Sequence, residues 1–234
     1  MLHFFEASME CHTSSQPDTC VHIVDGNALL LYYSSQIPQP LVFDTGCGNQ
    51  RCQLDIHKCA SELDLSTCSA LPPFHAFTAY DSTSAFVWKG KIGSFKLQCN
   101  TASATTTFIT IGTICDHIDE TTMKQLENFV REVYGKPAGC DVNQVRYEAF
   151  KSSFEVNSCK KMLTVHNGFD ISLLPPCYTS LKKHCQHVNY QSYIWKHAHL
   201  AQVEMSSPSA CGWKMDTSGN IMLAVDWLML SFKL

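Results

Sequence analysis

Residues 74–93 read FHAFTAYDSTSAFVWKGKIG, and this stretch decides the fold prediction for the chain. Its apolar first part predicts a helix that ends on one carboxylate, Asp81. A turn of small hydroxyl residues follows, and the lysine- and glycine-rich loop 89–93 then opens a second helix. A carboxylate at a helix end beside such a loop is one way to place a metal ion next to a phosphate backbone. Whether that chemistry works depends on the partners that the chain supplies for Asp81.

The composition predicts a chain with a substantial core. The 234 residues are 45% hydrophobic, which suits one or two domains. The net charge of −4 gives no general attraction for nucleic acid, so any such binding must come from a local patch. The start of the chain lacks the features of a signal peptide, and the longest apolar runs, 28–33 and 221–230, are too short to span a bilayer. We therefore expect an intracellular protein, nuclear or cytoplasmic, without a membrane partner.

Thirteen cysteines in a chain with no predicted export signal favour reduced thiols. Two groups of residues could instead bind zinc: Cys47, Cys52, His57 and Cys59, and His184, Cys185 and His187. However, the chain contains no Cys-x2-Cys pair, a spacing typical of structural zinc sites. The pattern therefore favours buried thiols over a zinc-stabilised interaction domain.

The first half of the chain predicts a partial α/β domain at 20–99, after a loose arm at 1–19. The run Cys20–Val24 predicts a buried strand that feeds directly into a helix at 27–33, the unit of a parallel sheet. A β-hairpin follows at 41–56, with glycines in its turn. Helices are then predicted at 57–63, at 66–80 with a kink or a late start caused by Pro72 and Pro73, and at 94–99.

The second half predicts a mainly helical region at 108–204. Residues 100–107, rich in Thr, Ala and Ser, are interpreted as a linker. Amphipathic or polar helices are predicted at 119–134, which stops at Gly135, at 142–154 and at 178–200. The tail 205–234 is predicted to be mostly loop, with a short strand around 221–225.

Asp25 and Asp81 are the candidate metal ligands. Two-metal hydrolysis of a phosphodiester needs several carboxylates that converge at strand and helix ends and hold Mg²⁺ or Mn²⁺. Asp25 follows the predicted strand and Asp81 follows the predicted helix, which are positions of the right type. A helix cap is the alternative role for an aspartate after a strand.

Lys89, Gly90, Lys91 and Gly93 are the candidate nucleic-acid-binding residues. Glycines that allow backbone N–H groups to approach a phosphate, flanked by lysines at the start of a helix, indicate a clamp on DNA or RNA that ignores base sequence. A plain turn with solvated lysines is the alternative.

The segment 178–200 carries three lysines and four histidines: Lys182, Lys183, Lys196, His184, His187, His197 and His199. These side chains could line a nucleic-acid or metal surface, but a packing helix with a mildly cationic outer face is favoured. No spaced motif supports a Ser-His or Cys-His catalytic site.

Residues 74–97 resemble the string HAFTGCDSTSAFxxKGKxxxLKL of metazoan, often transposon-associated, proteins with a PIN-like, flap-endonuclease-type core. Residues 24–29 resemble the A-D-T-D-V-L strand end of that family, 41–46 its hairpin, and 173–177 with 190–196 its C-terminal signature. The resemblance implies a partial PIN-like parallel sheet with a helical hairpin, followed by a mainly α region. It further implies that Asp81 is a metal ligand and that the loop 90–93 grips duplex DNA.

The chain departs from the family at several positions. Asn27 stands where the family has a second acid, and Ala79-Tyr80 replaces Gly-Cys. The family takes further acids from an upstream half, whereas only 24 residues precede Asp25. The chain is therefore predicted to be a nuclease remnant that binds Mg²⁺ or Mn²⁺ weakly and lacks nuclease activity by itself. The alternatives are a non-catalytic module that binds nucleic acid or a protein, including a missing N-terminal half, and the zinc-stabilised domain.

Overall fold

A computed structural model describes residues 27–45, 47–78, 83–84, 86–87, 89–136, 139–157, 162–165, 169–215 and 221–223. The helices are α1 (Asn27–Tyr33), α2 (Ile56–Glu62), α3 (Leu65–Phe77), α4 (Lys91–Asn100), α5 (Ala102–Thr110), α6 (Glu120–Val133), α7 (Val142–Ser152) and α8 (Tyr178–Lys196). The strands are β1 (Val42–Thr45), β2 (Cys52–Asp55), β3 (Phe154–Asn157), β4 (Met162–Val165), β5 (Trp213–Met215) and β6 (Ile221–Leu223). The protein is thus mixed α/β and mainly helical. This agrees with the predicted α/β class and with the mainly α region predicted for the second half.

The described strands pair in sequence order as three antiparallel hairpins, β1–β2, β3–β4 and β5–β6. The predicted hairpin at 41–56 is confirmed, with Phe43 opposite Leu54 and positive φ at Gly48. Residues 221–223 form the predicted C-terminal strand. The strand Cys20–Val24 lies outside the described residues, so a parallel PIN-like sheet is not confirmed and stays a prediction.

Helix α3 is the centre of the fold and contacts α1, α5 and α8. Asp64 caps its N-terminus by accepting the Thr67 backbone N–H at 2.8 Å. The helix starts at Leu65 and runs through Pro72 and Pro73, so the predicted late start is wrong. Both prolines are buried, and the burial of most residues of this helix offsets the backbone hydrogen bonds that proline cannot donate.

The interpretation of residues 100–107 as a linker is wrong, because helix α5 occupies 102–110. Threonine hydroxyls donate hydrogen bonds to backbone carbonyls of their own helix. Thr106 Oγ1 donates to the Ala102 oxygen at 3.0 Å, and Thr107 Oγ1 donates to the Ser103 oxygen at 2.7 Å. Phe108 is fully buried, with its ring centroid 5.5 Å from that of Phe74 in α3 and 5.1 Å from that of Phe129 in α6. A single buried cluster consequently joins residues on both sides of the expected boundary.

The helices of the second half follow the prediction with shorter ends. α6 begins after the cap Asp119 and is followed by Gly135 at φ 70°. α7 ends at Ser152 because the chain continues as β3, and α8 ends at Lys196 instead of residue 200. Within the described part of the chain, no helix combines the length and apolar character needed to cross a membrane.

Candidate nucleic-acid interface

The predicted metal ligands Asp25 and Asp81 lie outside the described residues. Asn27 is the first residue of α1, and its side chain is also outside the description. The Mg²⁺ or Mn²⁺ site therefore stays a prediction. The described neighbours of Asp81 show how the chain on either side of it is held.

Hydroxyl groups hold the chain that follows Asp81 against the protein interior. Thr83 is buried, and its Oγ1 donates to the Ala76 carbonyl of α3 at 2.6 Å. Ser84 Oγ lies 2.7 Å from Nδ1 of His184 on α8. The small-hydroxyl turn that the sequence singled out thus carries structural contacts in its described part.

His184 joins this turn to α8 as a neutral imidazole. Its Nε2 lies 3.0 Å from the Phe77 carbonyl oxygen, and a carbonyl only accepts, so Nε2 carries the proton and Nδ1 accepts from the Ser84 hydroxyl. Burial opposes the charged form and lowers the pKa of His184 to about 4. A serine paired with a fully buried, weakly basic histidine suits a structural clamp and not a nucleophile with its base.

The loop 89–93 leads into α4, whose N-terminus carries no side-chain cap. Gly90 is the N-cap residue at φ −63°, and the first turn contains no acidic residue. A Cβ atom added at Gly90 or Gly93 would meet no atom within 4 Å. Neither glycine has a positive φ, so neither backbone conformation nor packing against the described residues requires glycine at these positions.

The two lysines of this loop lie against ring side chains. Lys89 Nζ is 4.3 Å from the centroid of the Tyr134 ring, within the range of a cation–π contact. Lys91 Nζ is 3.2 Å from Nδ1 of His75 on α3. Both lysines are half-buried, which leaves part of each side chain at the surface beside the open glycines.

The sequence did not reveal Tyr134 and His75 as neighbours of the two lysines. Tyr134 follows the last turn of α6, and His75 reads as one residue of an apolar helix. No local spacing links either residue to the loop, so only packing of α3, α4 and α6 brings them together.

The histidines of the two candidate zinc groups are hydrogen-bonded to the backbone. His57 accepts the Leu41 N–H at 3.3 Å and lies 3.0 Å from the Ile37 carbonyl oxygen. His187 Nε2 lies 2.8 Å from the Gly212 carbonyl oxygen. Among the residues that the structure describes, no three or more His, Cys, Asp or Glu side chains are grouped to hold a metal ion. These contacts give no support to a zinc-stabilised domain.

Helix α8 packs mainly inward, as the favoured interpretation of 178–200 predicted. His184, His187 and Lys196 are buried, whereas Lys182 is exposed. The buried histidines therefore do not line a nucleic-acid surface.

Comparisons of the chain with protein-family models, curated proteins and solved structures give no match. The resemblance to flap-endonuclease-type proteins consequently stays a prediction. Support for a nucleic-acid interface therefore comes from the residues at the α4 N-terminus.

Proposed function

We propose that the protein is a non-cleaving module that binds the phosphate backbone of DNA or RNA at the N-terminus of α4. The observation that supports this proposal is the pair of glycines, Gly90 and Gly93, which no contact with the described residues requires. Exposed glycine in a helix is destabilising by roughly 0.5–1 kcal/mol relative to alanine. Gly90 is the N-cap, a position that favours glycine over alanine, whereas a backbone that a ligand must approach closely explains glycine at position 93.

The geometry of the helix start suits a phosphate group. The first N–H groups of an α-helix lack intrahelical partners, and the helix dipole places positive potential at this end. Ser94 N–H already donates to the Gly90 oxygen at 3.3 Å, so Ile92 and Gly93 carry the backbone N–H groups of this turn that have no partner among the described residues. Lys89 and Lys91 add positive charge on either side of Gly90.

The resemblance supports a flap-endonuclease-like, transposon-associated ancestry for this module. In that view Asp25 and Asp81 are the remaining carboxylates of a metal site, and Asn27 supplies a neutral oxygen where an acid is needed. Such a set would bind Mg²⁺ or Mn²⁺ weakly, because tight two-metal sites use clustered carboxylates. A partner protein that supplies the missing acids would fit the same ancestry.

Salt-dependent binding tests the proposal. Affinity for a short duplex and for a single strand is measured between about 50 and 200 mM salt, the range in which phosphate contacts change affinity strongly. We expect the double variant Lys89→Gln/Lys91→Gln to weaken binding to every sequence and to reduce the slope of log affinity against log salt by about 1 to 2.

The matched control removes the same charge elsewhere. Lys58 and Lys151 are exposed on α2 and α7, so Lys58→Gln/Lys151→Gln should leave affinity and slope close to the parent. If both double variants lose affinity equally, the loop is not the binding site. Cleavage of flap or single-stranded DNA with Mg²⁺ or Mn²⁺, abolished by Asp81→Ala, would show that the non-cleaving part of the proposal is wrong.

A further inference from the structure

A second candidate site lies at the C-terminal end of α8. A cavity of about 510 Å³ opens there between α1, α3 and the loop that follows α5. Its polar lining residues are Tyr32, Ser69, Thr113, Lys196, His197 and His199. No side-chain carboxylate lines this cavity, and the lysine that does line it, Lys196, can carry a positive charge.

Lys196 is buried without a carboxylate partner. Only 8% of the residue is exposed, and its ammonium donates to the carbonyl oxygens of Ile109 and Ile111 at 2.7 and 2.6 Å. An ammonium has three donors, which leaves one without a partner among the described residues. Peptide carbonyls are neutral, so they orient the ammonium without cancelling its charge. Burial is the cause that lowers the pKa of Lys196 to about 8, which still leaves it mostly protonated at pH 7.

Two imidazoles line the same cavity as this ammonium. His197 Nδ1 lies 2.8 Å from the Tyr193 carbonyl oxygen and must donate to it, which leaves Nε2 for a ligand. The His197 ring also packs on Tyr193, with centroids 4.1 Å apart. His199 Nδ1 lies 3.5 Å from the hydroxyl of Tyr33. These contacts orient both rings at the mouth of the cavity.

We propose that this cavity binds a small phosphate monoester, with the phosphate group held by Lys196 and His197. A phosphate group compensates a buried cation, because its terminal oxygens accept from the ammonium and one proton is shared between a phosphate oxygen and the Nε2 of His197. The volume exceeds that of one phosphate group and leaves room for an organic group near Tyr32. The site is separate from the α4 N-terminus and does not depend on the nucleic-acid proposal.

The test uses inorganic phosphate, adenosine monophosphate and adenosine as probes at constant ionic strength and pH 7. We expect phosphate and the monophosphate to bind in calorimetry and to raise the Tm of the protein, and adenosine to do neither. Equal binding of the monophosphate and adenosine, or no binding of either phosphate, would overturn the proposal. Oligonucleotides with and without a 5′-phosphate, bound to the Lys89→Gln/Lys91→Gln variant, show whether a strand end is a source of the same group.

Variants assign the binding to this cavity. Lys196→Met should abolish phosphate binding, but it also removes the contacts to Ile109 in α5 and to Ile111 just after it. His197→Gln/His199→Gln leaves those contacts in place and should weaken phosphate binding about tenfold, the loss expected for a charge-assisted hydrogen bond. Lys182→Gln, an exposed charge change on the same helix, should bind as the parent does. If the double histidine variant also binds phosphate as the parent does, His197 does not hold the phosphate and the proposal is wrong.

Discussion

Two glycine-bearing segments of this protein differ in what surrounds the glycine. Gly112, in the loop after α5, has φ 76°, and a Cβ atom there would lie 2.7 Å from the backbone carbonyl carbon of Ser192 on α8. Gly90 and Gly93, at the start of α4, would place a Cβ atom in open space. The fold thus demands glycine at the first site and does not demand it at the second.

Contacts with helix α8 explain why the segment around Gly112 requires glycine. Asn189 accepts the Gly112 N–H at 2.8 Å and donates to the carbonyl oxygens of Ile114 and Cys115 at 2.7 and 2.9 Å. Lys196 holds two further carbonyls of the same segment. A glycine inside such a network is accounted for by structure. Gly90 and Gly93 have no such contact with the described residues, and this difference supports the proposal that α4 binds nucleic acid.

Gly112→Ala should have the largest effect on stability. The substitution combines an unfavourable positive φ with overlap against the backbone of α8, and we expect a loss of roughly 4 kcal/mol in the free energy of unfolding. Urea unfolding followed by circular dichroism measures it. Gly135→Ala is the matched control, since Gly135 has φ 70° with nothing within 4 Å; it should lose only about 1 kcal/mol. Equal losses would show that the contact with α8 is not tight.

The second-largest effect on stability should come from acid, which protonates His184. The folded-state pKa of His184 is about 4, below the ordinary value of 6.5, so the unfolded chain binds a proton first as the pH falls. Its contribution is complete above pH 6.5 and is lost between pH 6.5 and 4, by about 3 kcal/mol in total. Burial also lowers the pKa of His187 and acts in the same direction. Urea midpoints at pH 7, 5.5 and 4.5 follow the loss. An NMR titration of the His184 ring with a midpoint near 6.5 would contradict this explanation.

Gly93→Ala should have the smallest effect on stability and the opposite sign. Alanine fits the open space on α4, and we expect the free energy of unfolding to rise by about 0.5–1 kcal/mol. The same variant should bind DNA several-fold more weakly, because the methyl group keeps a phosphate from the backbone. Thermal unfolding and a binding titration on one preparation measure both quantities. A variant that is more stable and binds DNA unchanged would remove the argument from the glycines.

The elements that the sequence predicted correctly are those whose caps, turns or periodic patterns lie within a few residues. Asp119 and Gly135 bound α6, and the hairpin at 41–56 follows from alternating residues around a glycine turn. Helix α5 could not be predicted in this way, since its Thr-rich sequence is a weak helix former and the burial of Phe108 in the core is a tertiary contact. The loop lysines were identified from sequence, but their ring partners Tyr134 and His75 were not.

The amino-acid sequence by itself determined the hairpin, the bounds of α6 and the lysine–glycine composition of the α4 start, because turns and periodicity act over a few residues. Only the tertiary structure decided which residues contact one another across the core. Ser84 meets His184 from 100 positions away, and Lys196 reaches Ile111 from 85 positions away. Contacts over such separations arise from helix packing around α3, where burial fixes protonation states and shows which glycines the fold needs.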